Sequence, residues 1–176
     1  KEAVLMMIRD LVLQEKPPFL DRFVLLVTPI YNADGNDKLG KNRRDNGPEL
    51  AGIRYNGQNL DLNRDAMKLE SPELRGVLKN VFNRWDPILF IDCHTTNGSY
   101  HEEPVTYAWP LNPNGDMEII TYMRREMIPE VERTLERKHR TLAIPYGNYV
   151  DGLHPEKGWE SSGPEPRYLS NYVGLR

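Results

Sequence analysis

Two continuous apolar runs constrain the fold of this chain more than any other feature. Residues 23–28 (FVLLVT) and 88–91 (ILFI) lack the alternation of apolar and polar residues that marks a strand with one solvent-exposed face. Such runs are typical of strands that are buried on both faces of a parallel sheet. Residues 71–86 lie between them and carry apolar residues at helical spacing. A strand, a helix and a strand in this order predict an α/β fold with helices layered on a sheet.

Local signals place three helices. Ser71-Pro72-Glu73 supplies a cap, a proline at the first helical position and an acid in the first turn. Residues 2–13 are predicted to form a helix whose apolar face packs on a core. Residues 116–139 are predicted to form a longer amphipathic helix that Pro129 bends or breaks. The apolar positions of the first helix are Val4, Leu5, Ile8, Leu11 and Val12.

Composition restricts the class of protein. The 176 residues fit one domain, and we expect residues 1–176 to form a single, partial domain. Hydrophobic residues make up 39% and charged residues 28%, which excludes a disordered chain, and no apolar run approaches the length of a membrane span. The net charge of -3 gives no footprint for nucleic acid. The chain begins inside a predicted helix and stops after a tyrosine-rich loop, so we expect truncation at both ends.

His94 follows the second apolar run directly, after Asp92 and Cys93. In open α/β sheets, ligands bind at the carboxyl ends of the strands, which is where this imidazole is predicted to lie. A lone histidine is more often structural than metal-binding. A catalytic zinc site needs three protein ligands, and the chain contains no His-x-x-Glu pattern that would supply two of them.

Asn63 and Arg64 form a second polar feature, at the end of a glycine-containing loop. The planar guanidinium of arginine matches the two oxygens of a carboxylate, so Arg64 is a candidate for carboxylate binding. The alternative is an arginine paired with Asp61 or Asp65 as part of the scaffold. The sequence alone leaves both interpretations open.

The long polar loop before this feature contains Arg43 and Arg44. Loops of this length in a compact domain are usually functional, and an arginine there can stabilise a developing oxyanion. The alternative is a solvated basic patch. Aromatic residues near the end of the chain either line a pocket or pack the loop; they are Tyr149, Trp159, Tyr168 and Tyr172.

Together these motifs resemble the zinc carboxypeptidases, the carboxypeptidase A-like metallopeptidases, over residues 24–97. The residues Asp61-Leu62-Asn63-Arg64 resemble the family's Asn-Arg motif, and Ile91-Asp92-Cys93-His94-Thr95 resembles its third zinc-ligand segment. Residues 29–35 (PIYNADG) are similar to the family's Asn-Pro-Asp-Gly turn, with Ala33 in place of proline. Arg44 best matches the arginine that polarises the scissile carbonyl, and Arg43 is the alternative register.

This resemblance implies a three-layer α/β/α fold with a central mixed, mostly parallel sheet. It also implies a zinc-dependent metallocarboxypeptidase, a hydrolase that removes C-terminal residues from peptides. Asn63 and Arg64 would hold the substrate carboxylate, Arg44 would help to hold the oxyanion, and His94 would be a ligand of Zn²⁺. Zinc would lower the pKa of a bound water to roughly 7.

The departures from the family pattern concern the remaining catalytic groups. The family's first two zinc ligands and its general-base glutamate would lie outside this chain, which is therefore expected to bind zinc weakly and to be inactive alone. The family's mobile tyrosine has no clear match, and Trp159, Tyr168 and Tyr172 are the candidates. By resemblance alone, the location would be secreted or periplasmic.

Two other functions compete with this one. The residues Asp92-Cys93-His94-Thr95-Thr96 are closer to the corresponding segment of aspartoacylase and succinylglutamate desuccinylase amidohydrolases than to a peptidase's His-Ser. The other possibility is a non-catalytic carboxylate-binding domain. The expected partner is thus a peptide or an N-acyl amino acid with a free carboxylate, with no nucleic acid and no membrane span, and the oligomeric state stays open.

Overall fold

The computed structural model describes residues 1–13, 17–43, 48–94, 101–151 and 153–161. The chain divides into two compact units, Lys1–Ile88 and Leu89–Arg176, and each is described by itself. Helices and short strands both occur, so the coarse α/β class is confirmed. The assignment of residues 1–176 to a single domain remains a prediction. Within the described ranges, no helix is both long and apolar enough to cross a bilayer.

The described residues of the first unit form three helices, a small hairpin and two 3-10 turns. Helix α1 spans Glu2–Leu13, α2 spans Ala33–Asp37, and α3 covers residues 72–85, with a π-helical turn at Leu78–Phe82. Strands β1 (Gly40–Lys41) and β2 (Leu50–Ala51) pair antiparallel. Two 3-10 turns cover Pro18–Asp21 and Leu62–Arg64. Among the described residues of this unit, the buried apolar ones are Leu62, Leu74 and Phe82, and the buried polar ones are Asn56, Asp65 and Ser71.

The second unit contains a parallel strand pair joined by a long helix. Strand β3 (Val105–Tyr107) precedes helix α4, which covers residues 117–139, and β4 (Ala143–Pro145) follows. Strands β3 and β4 pair in parallel, with Val105 opposite Ala143. A strand, a crossover helix and a parallel strand form the basic unit of α/β folds. Strands β5 (Gly147–Tyr149) and β6 (Trp159–Ser161) pair antiparallel around a 3-10 turn at Pro155–Lys157.

The predicted helix boundaries are confirmed where capping chemistry is local. The hydroxyl of Ser71 accepts a hydrogen bond from Leu74 N at 3.3 Å, and Pro72 occupies the first turn. Asp116 caps α4 by accepting from Glu118 N at 2.8 Å. Pro129 does not break α4; a π-helical turn at Met123–Met127 precedes it instead. Proline lacks the N–H that would bond four residues back, and the wider turn accommodates this loss.

Both predicted interior strands are wrong in this structure. Residues 23–28 and 88–91 are in neither helix nor strand, and most of their side chains are exposed, up to 70% for Val24 and 86% for Ile88. An apolar run forms a strand only when neighbouring chain satisfies its backbone groups. Within the described residues, neither run pairs with a strand. Helix α1 forms as predicted, but none of its residues is buried, so its packing on a core is not observed.

Candidate functional site

The predicted carboxylate-binding residues lie in the 3-10 turn Leu62–Arg64, called here the 62–64 turn. Asp61 precedes it, and its Oδ1 accepts a hydrogen bond from Asn63 N at 3.0 Å. Arg64 N donates to Asp61 O at 2.9 Å. Leu62 is buried, Asn63 is half-buried and Arg64 is exposed. Leu62 thus anchors the turn in the interior, and the side chains of Asn63 and Arg64 remain accessible to solvent.

A second guanidinium lies against the same turn. Arg54 Nε donates to Asp61 Oδ2 at 2.5 Å, and Tyr55 forms an antiparallel bridge with Asp61. The Arg54 side chain is 41% exposed. Among the described residues, its two Nη nitrogens donate no hydrogen bond. Sequence reasoning missed Arg54, although an arginine seven residues before Asp61 across a glycine-containing loop is a usable signal for such a pair.

The surroundings of Arg64 within the first unit bear on the scaffold interpretation of this residue. Both Asp61 carboxylate oxygens are engaged, one by Asn63 N and one by Arg54. The Asp65 carboxylate accepts from Glu70 and Ser71. Among the described residues, Arg64 Nη1 donates only to the carbonyl of its neighbour Asn63, at 2.7 Å. The scaffold alternative, an ion pair between Arg64 and either aspartate, is therefore not observed.

The loop from Arg54 to Asp61 is closed by one buried amide. Asn56 is 3% exposed, and its Oδ1 accepts from Gln58 N at 3.0 Å and from Leu60 N at 2.8 Å. Its Nδ2 donates to both carboxylate oxygens of Glu73, at 3.1 and 3.0 Å. Glu73 lies in the first turn of α3, so this helix holds the loop that brings Arg54 to Asp61.

The predicted Asn-Ala-Asp-Gly turn packs against the same loop, as the short helix α2. Asn32 caps α2 by accepting from Gly35 N at 2.9 Å, and its Nδ2 donates to Arg54 O at 3.0 Å. Ile53 N donates to Gly35 O at 2.9 Å. A Cβ on Gly52 would lie 2.3 Å from Gly35 O, so only glycine permits this close approach. The turn therefore supports the backbone of Arg54.

The candidate oxyanion arginine, Arg44, lies outside the described residues. Its alternative, Arg43, is exposed with its guanidinium over Gly40. Tyr168 and Tyr172 also lie outside the described residues, as do Thr95, Thr96 and Asn97, and nothing is described of the Trp159 side chain. Tyr149 lies half-buried in β5.

His94 belongs to the second unit. Its Nε2 lies 3.1 Å from Asp92 Oδ2, and both side chains are partly exposed. Within the described ranges, no group of three or more metal-ligating side chains occurs. An imidazole with one carboxylate offers two donors, whereas a catalytic zinc site requires three. The described residues therefore do not fit a zinc site, and we assign them no chemical step through zinc.

An aromatic and charged cluster occupies the face of α4 that meets β3. The Tyr107 hydroxyl donates to Glu132 Oε1 at 2.5 Å. Burial, followed by the bond to Glu132 and the negative charge of that residue, raises the pKa of Tyr107. The Arg124 guanidinium lies 5.1 Å from the ring centroid of Trp109. Every member has a partner within the unit, so we assign the cluster a packing role.

A scan against protein-family models finds no match to this chain. Comparisons with curated proteins and with solved structures find no match either.

Proposed function

We propose that this chain is the carboxylate-binding part of a metallocarboxypeptidase-like hydrolase that removes C-terminal residues from peptides. Asn63 and Arg64 hold the terminal carboxylate of the substrate. The observation that carries the proposal is the state of Arg64: it lies between two aspartates, and both carboxylates are engaged by other donors. A cation that neighbouring anions leave exposed is suited to an anionic ligand.

The side chain of Asn63 supports the same interpretation. Within the described residues, the Asn63 amide makes no hydrogen bond, and it stands beside Arg64 on a turn whose backbone Asp61 fixes. An amide donor and a planar guanidinium side by side can bind both oxygens of a carboxylate. Hydrogen bonds to charged groups contribute roughly 1.5–3 kcal/mol each. That is enough for the pair to select an acid over an amide.

The oxyanion role has two candidates in this proposal. Arg44 is assigned to it by resemblance alone. Arg54 has a structural argument, because Asp61 holds its Nε beside the 62–64 turn and leaves the Nη nitrogens available. Zinc dependence enters the proposal only through the resemblance of the His94 segment, since the described residues do not fit a zinc site.

The fold proposed for this chain is a three-layer α/β/α arrangement with a central mixed, mostly parallel sheet. The β3–α4–β4 segment supports it, because this segment is a parallel crossover.

A second candidate function is a non-catalytic carboxylate-binding domain. The two-donor arrangement of His94 and Asp92, with no larger metal-ligating group among the described residues, favours it. The 62–64 turn would have the same binding role in both functions. The two functions therefore differ in catalysis and not in carboxylate recognition.

Calorimetry with an N-acetylated dipeptide and its C-terminal amide tests the shared part of the proposal. The wild-type chain is expected to prefer the acid. Arg64→Lys keeps the charge but loses the planar fork, so it is expected to reduce this preference by roughly 1.5–3 kcal/mol. Arg9→Lys, a change at an exposed arginine of α1 paired with Asp10, is the matched control and should leave the preference unchanged. Equal affinity of the wild-type chain for acid and amide would overturn the proposal.

Turnover assays separate the functions. With zinc added, hydrolysis of peptides supports the carboxypeptidase, and hydrolysis of N-acyl amino acids instead supports the amidohydrolase alternative.

A further inference from the structure

Asp65 follows Arg64 directly and is a buried carboxylate, 3% exposed. We propose that Asp65 is a positioning residue for the carboxylate-binding turn: it fixes the C-terminal end of that turn to the start of helix α3. This inference rests on the proposed carboxylate-binding function of Asn63 and Arg64.

The hydrogen bonds of the Asp65 side chain are all with the chain that follows it. Its Oδ1 accepts from Glu70 N at 2.7 Å. Its Oδ2 accepts from Ser71 N at 2.8 Å and from Ser71 Oγ at 2.6 Å. Burying a carboxylate is costly unless hydrogen bonds compensate for the lost water. Three donors within six residues provide that compensation and tie Asp65 to the residue that caps α3.

The loop enclosed by these bonds has a constrained backbone. Leu69 adopts a left-handed conformation with φ of 57°, which is uncommon for a bulky residue. Leu69 N and Lys68 N both donate to Asp65 O, at 2.8 and 3.0 Å. A strained residue persists only where its surroundings determine its conformation. Here the Asp65 backbone and side chain together supply those surroundings.

The 62–64 turn is consequently fixed at both ends. Asp61 sets its start through Asn63 N and Arg54, and Asp65 sets its end through Ser71. Ser71 is fully buried, so this end cannot shift without disturbing α3. A binding group held in place before the ligand arrives loses less conformational freedom on binding. Asp65 therefore acts on the ligand through the orientation of Asn63 and Arg64.

The test is the variant Asp65→Asn in the full chain, with the N-acetylated dipeptide and its amide as probes. The new amide nitrogen replaces an acceptor and faces donors on Glu70 or Ser71. The affinity for the acid is expected to fall about threefold to tenfold, the effect of having to order a long side chain on binding, while that for the amide changes little. Backbone amide resonances of Asn63 and Arg64 are expected to shift in the ligand-free variant, which reports on positioning independently of ligand.

Phe82→Leu is the matched control, because it changes a buried apolar side chain of α3 and removes none of the donors to Asp65. It should keep the wild-type ratio of acid to amide affinity. An unchanged ratio in folded Asp65→Asn, or the same loss in Phe82→Leu, would overturn the inference. Should Asp65→Asn fail to fold, Ser71→Ala removes only one of the three donors and must show a smaller loss of the same kind, or the inference fails. Wild-type chain without any acid preference would instead refute the carboxylate-binding function.

Discussion

Removing the amide of Asn56 is expected to be one of the most damaging single changes in the first unit. The side chain is buried and makes hydrogen bonds in two directions, to backbone N–H groups of its own loop and to the Glu73 carboxylate on α3. Asn56→Ala abolishes all of them and leaves the N–H groups of Gln58 and Leu60 without their acceptor. The loop that carries Arg54 to Asp61 would then lose its attachment to the helix.

The magnitude follows from the bonds lost. Two bonds to backbone N–H groups contribute about 1 kcal/mol each, and a bond to a charged acceptor about 1.5–3 kcal/mol. Glu73 is only half-buried, so water can replace part of its share. We therefore expect Asn56→Ala to lower the free energy of unfolding by about 2–4 kcal/mol. Amide hydrogen exchange across residues 56–60 and the start of α3 measures the effect locally.

The control exchanges the amide of Asn56 and the carboxylate of Glu73 between the two positions. Asn56→Asp alone places two carboxylates together and should destabilise the unit at neutral pH. Combined with Glu73→Gln, it restores one carboxylate and one amide in contact, so most of the lost stability should return. A cost below about 0.5 kcal/mol for Asn56→Ala, the size of an ordinary surface substitution, would refute the reasoning. Failure of the double variant to recover stability would refute the assigned contact.

Three further outcomes are expected. Gly52→Ala brings a Cβ within 2.3 Å of Gly35 O and should cost about 1–3 kcal/mol of unfolding free energy in urea denaturation, whereas no loss would contradict the close approach. Tyr107→Phe removes the hydrogen bond to Glu132 and should lower thermal stability at neutral pH. Because the folded-state pKa of Tyr107 is raised, the stability that this hydrogen bond contributes should fade above a pH of about 10. A loss of stability that does not depend on pH would contradict the hydrogen bond. Burial raises the pKa of Asp65, but its hydrogen bonds outweigh burial and hold the pKa below the ordinary 3.8. The stabilising contribution of the Asp65 carboxylate is therefore complete above pH 3.8 and is lost as the pH falls through the lowered pKa. Asp65→Asn should remove this part of the acid sensitivity, and an unchanged dependence of stability on acid pH would contradict the argument.

The sequence alone determined the features whose causes lie within a few residues. The start of α3 followed from Ser71, Pro72 and Glu73, because a hydroxyl cap acts on an N–H three residues away. The start of α4 at Asp116 has the same origin. The end of α3 also has a local cause, since Asp86 adopts a left-handed conformation directly before Pro87. Sequence motifs likewise placed Asn63 and Arg64 together on one turn, because adjacent residues need no tertiary contact to be neighbours.

The tertiary structure decided which partner each group takes. Two apolar runs predicted strands, but strand formation requires backbone partners from elsewhere in the chain, and composition carries no information about their presence. The aspartates around Arg64 were equal candidates to pair with it in sequence. Arg54, seven residues before Asp61, reaches that aspartate only because Asn56 closes the loop against α3, and Asp65 turns away because Ser71 caps that helix. A side chain's nearest charge along the chain is not its nearest charge in space, since loop closure sets which groups meet.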